Sequence, residues 1–109
     1  MGYCERNIKG GCFHELSKGD YERNEQYWRE DSLFLDDDVF QDLGLYHLFA
    51  RVIPQYDTWG LNKISQAQWE QIKAEAAEFG TRVQEFLQEV EPWVQENFQT
   101  ETCFFILGV

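Results

Sequence analysis

The architecture of the chain follows from seven residues, Cys103-Phe104-Phe105-Ile106-Leu107-Gly108-Val109. They form a continuous apolar run, rich in residues that favour β-structure, and the run has the length of a strand. A strand that is apolar at consecutive positions is buried on both faces, which places it inside a sheet. We expect it to pair with an extended segment near the N-terminus. There, Cys12-Phe13-His14-Glu15-Leu16 alternates weakly between polar and apolar residues, as strands do.

The region before this run has the pattern of amphipathic helices. Ser65 and Gln68 have the spacing of a capping box, which marks a helix N-terminus. Gly80 interrupts the helical pattern, which predicts either two helices or one long helix bent at that point. Pro92 is expected to kink the helix or to open a last turn. The apolar stripe that defines this region at helical spacing is Trp69, Ile72, Ala76, Phe79, Val83, Phe86, Leu87, Val90, Val94 and Phe98.

A further helix is predicted upstream, and Pro54 ends it. The run Asp36-Asp37-Asp38 places acids where the helix dipole favours negative charge. Apolar side chains then follow at helical spacing from Val39 to Ile53. The residue before a proline avoids helical backbone angles, so the helix ends there. Gly44 is expected to lower the helix propensity without breaking the helix.

The remaining segments are more irregular. Residues 56–64 suit a loop or a short strand, and residues 17–20 have the composition of a turn. Residues 21–30 are polar and aromatic, and the choice between a short helix and an extended edge stays open. The sequence therefore predicts one α+β domain over residues 1–109. About three helices are expected to pack on a small sheet that includes the C-terminal strand.

Composition limits the class of protein. The chain has 109 residues and a mass of 13.0 kDa, the usual size for one hydrophobic core. Hydrophobic residues make up 43% and aromatic residues 17%, which argues against intrinsic disorder. No apolar stretch approaches the roughly 18 residues that a membrane span needs. Residues 1–30 lack the apolar segment of a signal peptide, so we expect a cytoplasmic protein without a membrane partner.

The net charge and its distribution along the chain limit the classes of partner that we expect. The formal net charge is −11. Residues 1–30 are nearly neutral, with six acids and five bases, whereas residues 31–109 carry fourteen acids and four bases. A nucleic-acid-binding domain needs clustered Lys and Arg for the phosphate backbone. A direct nucleic-acid partner is therefore not expected.

The sequence indicates no enzyme, no cofactor and no metal site. It contains no glycine-rich dinucleotide loop, no Walker loop, no nucleophile elbow and no H-E-x-x-H motif. Cys12 and His14 share one face of a strand, but no third group is evident that would orient the imidazole. The spacing of Cys4, Cys12 and His14 does not match paired zinc ligands. With Cys103 the cysteines number three, and an odd number argues against a disulfide framework.

Acidic and aromatic residues give more information about function than the cysteines and histidines do, and they point to binding. The dense acidic run at residues 36–38 complements a helix dipole and also suits the recognition of a basic partner. Tyr27, Trp28, Tyr56 and Trp59 lie in segments predicted as loops or element ends. Such rings can cap the core. Among acids, they also form the kind of surface that binds a cationic protein, because rings anchor the contact while carboxylates steer it.

The stretch from Asp57 to the C-terminus resembles a known class of proteins. The residues that carry the resemblance are Trp59-Gly60, Lys63-Ile64-Ser65, Gln68-Trp69 and the terminal Phe105-Ile106-Leu107-Gly108-Val109, with an amphipathic helical region between them. This arrangement resembles small bacterial immunity proteins of polymorphic toxin systems, including contact-dependent growth inhibition. The resemblance implies a protein that binds its cognate toxin domain and blocks its active site or substrate surface. Such toxins are often basic nucleases.

We therefore expect an immunity protein that occludes a cognate toxin. The alternative is an acidic nucleic-acid mimic that inhibits a DNA- or RNA-binding protein. Two other classes stay open, namely a metal protein or enzyme that uses Cys12 and His14, and a module that self-associates through its aromatic residues. The predicted contact region for the partner is Glu30, Asp31, Asp36, Asp37, Asp38, Asp42, Asp57 and Trp59.

Overall fold

The structure, a computed structural model, describes residues 2–5, 12–20 and 31–108. The elements in chain order are β1 (Cys4–Glu5), β2 (Phe13–Lys18), β3 (Leu33–Asp36), α1 (Asp37–Leu43), α2 (Leu45–Val52), β4 (Leu61–Ser65), α3 (Gln66–Glu75), α4 (Thr81–Thr100) and β5 (Cys103–Gly108). A 3₁₀ turn, Ala76–Glu78, connects α3 to α4. The predicted α+β class is confirmed, with four α-helices in the described ranges rather than about three.

The described strands form one antiparallel sheet in the order β1-β3-β2-β5-β4. Strand β5 lies between β2 and β4, with Leu16 opposite Ile106 and Ile64 opposite Phe104. Residues 103–107 are all buried. The C-terminal run is therefore an interior strand paired with an N-terminal segment, as predicted.

The main core lies between the sheet and the helices. Phe104 and Ile106 of β5 belong to it, whereas the alternate residues of the same strand form a second buried cluster. The rings of Trp69 from α3 and Trp93 from α4 meet the ring of Phe104 edge-on, at centroid distances of 5.8 and 5.5 Å. These aromatic side chains thus fill space between the sheet and the helices.

Gly44 divides the helix that the apolar pattern predicted as continuous. Its φ angle is 69°, in the left-handed region, and it is both the C-cap of α1 and the N-cap of α2. Glycine reaches this region at little steric cost and commonly ends helices there. The prediction of a continuous helix is therefore wrong. The predicted end before Pro54 is confirmed, because α2 stops at Val52.

The second helical region divides near Gly80, which matches the first of the two predicted arrangements. Both hydrogen bonds of the capping box between Ser65 and Gln68 are present at the start of α3. Helix α4 continues through Pro92 to Thr100, so the last turn does not open at the proline. Neither this helix of 20 residues nor any shorter one in the described ranges has a long enough apolar stretch to cross a membrane.

Two predicted irregular segments are now defined. Strand β2 extends to Lys18, so the chain bends at Gly19, whose φ is 76°, rather than from residue 17 as predicted. The buried Asn97 fixes this bend, because its Oδ1 accepts from the Gly19 N–H at 2.9 Å and its Nδ2 donates to the Cys103 carbonyl at 3.0 Å. The predicted loop or short strand at residues 56–64 contains β4. Residues 21–30 lie outside the described ranges.

Candidate functional site

Residues 57–60 form a turn before β4 that presents Trp59 to solvent. The indole is 52% exposed. Asn62, only 4% exposed, holds the turn from below. Its Oδ1 accepts from the Asp57 N–H at 2.8 Å, and its Nδ2 donates to the Asp57 carbonyl at 2.7 Å. The Asp57 carboxylate in turn accepts from the Trp59 N–H at 3.1 Å, so the turn has a fixed shape.

Gly108 allows this turn to lie directly against the end of β5. A Cβ atom at Gly108 would lie 2.3 Å from the Thr58 carbonyl oxygen and 2.3 Å from the Trp59 Cα. In the absence of a side chain, the Gly108 N–H donates to the Gly60 carbonyl at 3.1 Å. The position of Trp59 therefore depends on a glycine in the distant C-terminal strand.

Trp59 ends a stack of three rings that we call the ring stack: Phe40, His14 and Trp59. The centroids of His14 and Phe40 are 3.9 Å apart, with 19° between the planes. Those of His14 and Trp59 are 5.1 Å apart, with 26° between the planes. His14 is only 1% exposed, because it lies between the other two rings. The exposed indole is thus supported from below by a buried imidazole.

His14 is held by a carboxylate, and burial favours its neutral form. Its Nε2 lies 2.7 Å from Asp37 Oδ1, and Asp37 also accepts from Gln41 Nε2 at 2.6 Å. Its Nδ1 is buried and has no hydrogen-bond partner among the described residues. Burial lowers the pKa of His14 below the ordinary 6.5, and the bond to Asp37 only partly offsets this effect. We assign the proton to Nε2, because a carboxylate only accepts.

An open cleft of about 360 Å³ lies beside the ring stack. Tyr46 and His47 from the start of α2 form one side of it, and the Tyr46 side chain is 43% exposed. The Tyr46 ring also packs edge-on against the buried Tyr56, with centroids 6.2 Å apart. The lining of this cleft is Phe40, Gln41, Gly44, Tyr46, His47, Thr58 and Trp59.

Part of the predicted contact region comes together around this cleft. Trp59 lines it, Asp57 is bonded to Trp59, and Asp37 is bonded to the lining residue Gln41. Asp36 caps α1 by accepting from the Asp38 N–H at 2.8 Å, and Asp38 is exposed. Within the described ranges, no Lys or Arg forms an ion pair with any of these four carboxylates.

The other predicted contact residues lie in different surroundings. Asp31 is half-buried, and its carbonyl accepts from Trp93 Nε1 at 2.6 Å. Asp42 forms an ion pair of 2.7 Å with Arg82 of α4. Glu30 lies outside the described residues. The predicted acids that are bonded to residues of the cleft are therefore Asp37 and Asp57, and Asp36 and Asp38 lie beside Asp37 at the start of α1.

Sequence reasoning missed the role of His14. It found no third group to orient the imidazole, and the structure supplies Asp37, 23 residues further along the chain. A contact at that separation leaves no local spacing signal. The Nδ1 atom is buried and the Nε2 atom is bonded to Asp37, so both ring nitrogens lie within the fold's own contacts. The three cysteines are free thiols, and the described part of the chain holds no group of three or more His, Cys, Asp or Glu suited to a metal ion.

Comparison with known proteins finds no matching family model, no matching curated protein and no matching solved structure. Function must therefore be inferred from the chain's own chemistry. The features available for that purpose are the fixed, half-exposed Trp59, the aromatic cleft beside it and the surrounding carboxylates.

Proposed function

We propose that this protein is a bacterial immunity protein, which acts in the cytoplasm by binding a cognate basic toxin domain and covering its active or substrate-binding surface. The cleft and Trp59 form the centre of the contact, and Asp38 and Asp57 lie at its edge. The observation that carries this proposal is the exposed Trp59 in a turn fixed by hydrogen bonds, beside carboxylates that form no ion pair with a Lys or Arg in the described ranges.

A fixed, exposed tryptophan suits the anchor of a protein interface. Interface energy concentrates in a few Trp, Tyr and Arg residues that fill well-packed pockets. The turn at residues 57–60 is already ordered by Asn62 and by contact with Gly108. Little conformational entropy is then lost when a partner binds, which increases affinity. Tyr46, 43% exposed across the cleft, adds a second amphipathic ring.

The charge distribution favours a basic partner. Residues 31–109 carry fourteen acids against four bases. Complementary charge can raise association rates to about 10⁸–10⁹ M⁻¹s⁻¹ at low salt. Rapid capture is valuable when the partner is a toxin. A nuclease needs a basic surface for its substrate, and an acidic protein that binds this surface excludes the nucleic acid.

The nucleic-acid mimic is supported less well by the same surface. A mimic needs rows of free carboxylates that replace phosphates. Here Asp36 caps a helix, Asp37 holds His14 and Asp57 fixes a turn, so three of the four acids at residues 36–38 and 57 have internal roles. The centre of the surface is aromatic rather than acidic.

The test is co-purification of the tagged protein from its native host, with any tight stoichiometric partner identified by mass and assayed for toxin activity. We expect a stoichiometric complex in which toxin activity is lost. Asp38→Lys should slow association about fivefold at low salt and weaken its salt dependence, because an edge charge acts mainly on the association rate. Asp38 is a better probe than Asp37, whose carboxylate holds the buried His14.

Glu70→Lys is the control, since it makes the same charge change on α3, outside the cleft lining, and it also removes the ion pair of Glu70 with Lys73. Its effect on association should be clearly smaller than that of Asp38→Lys. The proposed function is wrong if the toxin domain stays active in the presence of excess protein. The proposed surface is wrong if both charge reversals slow association equally.

A further inference from the structure

The ring stack ends in an aromatic face that has no neighbour in the described structure. One face of the Trp59 indole covers His14 at a centroid distance of 5.1 Å. The side chain is nevertheless 52% exposed, so about half of it is open to solvent. The rings below are nearly parallel, with angles of 19° and 26° between successive planes. This geometry suits a further planar group stacked on the solvent side of the Trp59 indole.

Charge decides which planar group fits. A nucleobase is planar, but it brings phosphates toward a protein of net charge −11. A lysine ammonium is cationic but has no plane to stack. An arginine guanidinium is planar, permanently charged and weakly hydrated, and it stacks on aromatic faces. Tryptophan is the best aromatic partner for such a cation.

We propose that the open face of Trp59 is the seat of an arginine side chain from the partner, whose guanidinium becomes the fourth layer of the ring stack. This inference rests on the proposed function, because it specifies how the basic partner is held. The Asp57 carboxylate is exposed and bonded to the backbone of Trp59, so negative charge lies beside the indole. Asp38 adds exposed negative charge at the start of α1.

The seat is rigid before any ligand arrives. Asn62 fixes the turn below Trp59 through two hydrogen bonds to the Asp57 backbone. Asp37 fixes the imidazole that supports the indole, and Phe40 fixes the other side of that imidazole. Because these contacts are internal to the fold, the stacking face does not have to be assembled during binding.

The experiment compares two short capped peptides of equal charge, one alternating arginine with glycine and the other lysine with glycine. Affinity is measured by calorimetry, and the indole N–H signals of the ¹⁵N-labelled protein are followed by NMR. We expect the arginine peptide to bind about threefold to fivefold more tightly, as a cation–π contact at an exposed site predicts. The largest shift should be that of the Trp59 indole, identified by its absence in Trp59→Phe.

Two variants make the test specific. Trp59→Leu keeps an apolar cover over His14 but removes the aromatic face, so the arginine preference should disappear while lysine binding stays. Leu61→Ala truncates another exposed apolar side chain, 50% exposed, on β4 and should leave the preference intact. Equal affinity of the wild-type protein for both peptides would overturn the proposal, as would a preference that survives Trp59→Leu.

Toxin capture separates this inference from the proposed function. If Trp59→Leu binds and inhibits the toxin domain as tightly as the wild type, the arginine seat is wrong and the immunity function stands. If the wild type prefers arginine through Trp59 but does not inhibit the toxin, the immunity function is wrong and the seat stands.

Discussion

Trp59 and Trp69 lie on either side of β4 and show two opposite uses of the same residue. Trp69 is 1% exposed, meets Phe104 edge-on, and donates from Nε1 to Glu91 at 2.7 Å. Trp59 is 52% exposed and stacks face to face on His14. The fold buries the ring of Trp69 and gives its N–H group a hydrogen-bond acceptor. It leaves about half of the Trp59 side chain exposed to solvent. The first residue stabilises the domain, and the second is available to a partner.

The polar groups beneath the two tryptophans differ in the same way. Burial opposes ionisation of Glu91, but hydrogen bonds from Lys73, Trp69 and Gln95 outweigh burial and keep its pKa below the ordinary 4.5. Glu91 is therefore a charged bridge between α3 and α4. Under Trp59, burial outweighs the bond to Asp37 and lowers the pKa of His14, which favours the neutral imidazole. Trp69 therefore contacts a carboxylate whose charged form is favoured, and Trp59 covers an imidazole whose neutral form is favoured.

Trp69→Ala should produce the largest loss of stability. Removal of a large aromatic side chain from a core costs about 3–5 kcal/mol. The change also removes the indole N–H donor from Glu91. Urea denaturation followed by circular dichroism measures the effect. A loss below about 1 kcal/mol would show that the site repacks, and the contrast between the two tryptophans would then be wrong.

Gly108→Ala should come second, because the new methyl group meets backbone rather than a movable side chain. Forced overpacking of this kind costs about 1–3 kcal/mol. The NMR signals of residues 57–60 should shift as the turn is displaced. Gly2→Ala is the control, since its Cβ would approach only the end of the Glu89 side chain, at 3.1 Å. If Gly108→Ala leaves the Trp59 signals unchanged, the turn does not depend on that contact.

Acid should destabilise the ring stack through His14. The folded-state pKa of His14 lies below its ordinary 6.5, so the unfolded chain binds the proton more readily. The stability due to neutral His14 is present above pH 6.5 and is lost as the pH falls through the folded pKa. His14→Gln keeps an amide donor for Asp37 and should reduce this loss.

The matched control for that experiment is His47→Gln, because His47 is exposed on the side of the cleft. It should leave the pH dependence of the unfolding free energy as it is in the wild type. Urea denaturation at several pH values between 4 and 8 provides the measurement, in the range where histidine titrates. An identical pH profile for His14→Gln and the wild type would contradict the assigned neutral state.

Trp59→Ala should have the smallest effect on stability. Only about half of the ring is removed from water, so the loss is about 1 kcal/mol. The variant should also weaken the pH dependence, because His14 loses its cover and gains access to solvent. The same denaturation series measures both effects. A loss comparable to that of Trp69→Ala would place Trp59 in the core and remove the distinction between the two residues.

The sequence predicted the parts of the fold that depend on local pattern. The apolar run at residues 103–109 indicated an interior strand, and Ser65 with Gln68 indicated a helix start; both predictions are confirmed. The prediction of a continuous helix through Gly44 is wrong. A glycine inside an apolar stripe is compatible either with a helix that continues or with a left-handed cap that ends it. Trp59 was named as a contact residue with core capping left open, and its 52% exposure leaves the contact role a prediction.

The ring stack itself lay beyond sequence reasoning. It joins β2, α1 and the turn before β4, and its contacts connect residues far apart in the chain. Asn62 and Gly108 support Trp59 through backbone contacts that have no sequence motif. Such a site follows from the register of the strands, which only the assembled sheet defines.

That register has a kinetic consequence. His14 and Gly108 are direct partners across the β2–β5 pair, and both support Trp59. Contacts between such distant segments form late, since a long loop must close before they are made. A chain in which β5 has not docked therefore lacks the contact of Gly108 with the turn that presents Trp59. Docking of β5 and completion of the surface around Trp59 are therefore one event in folding.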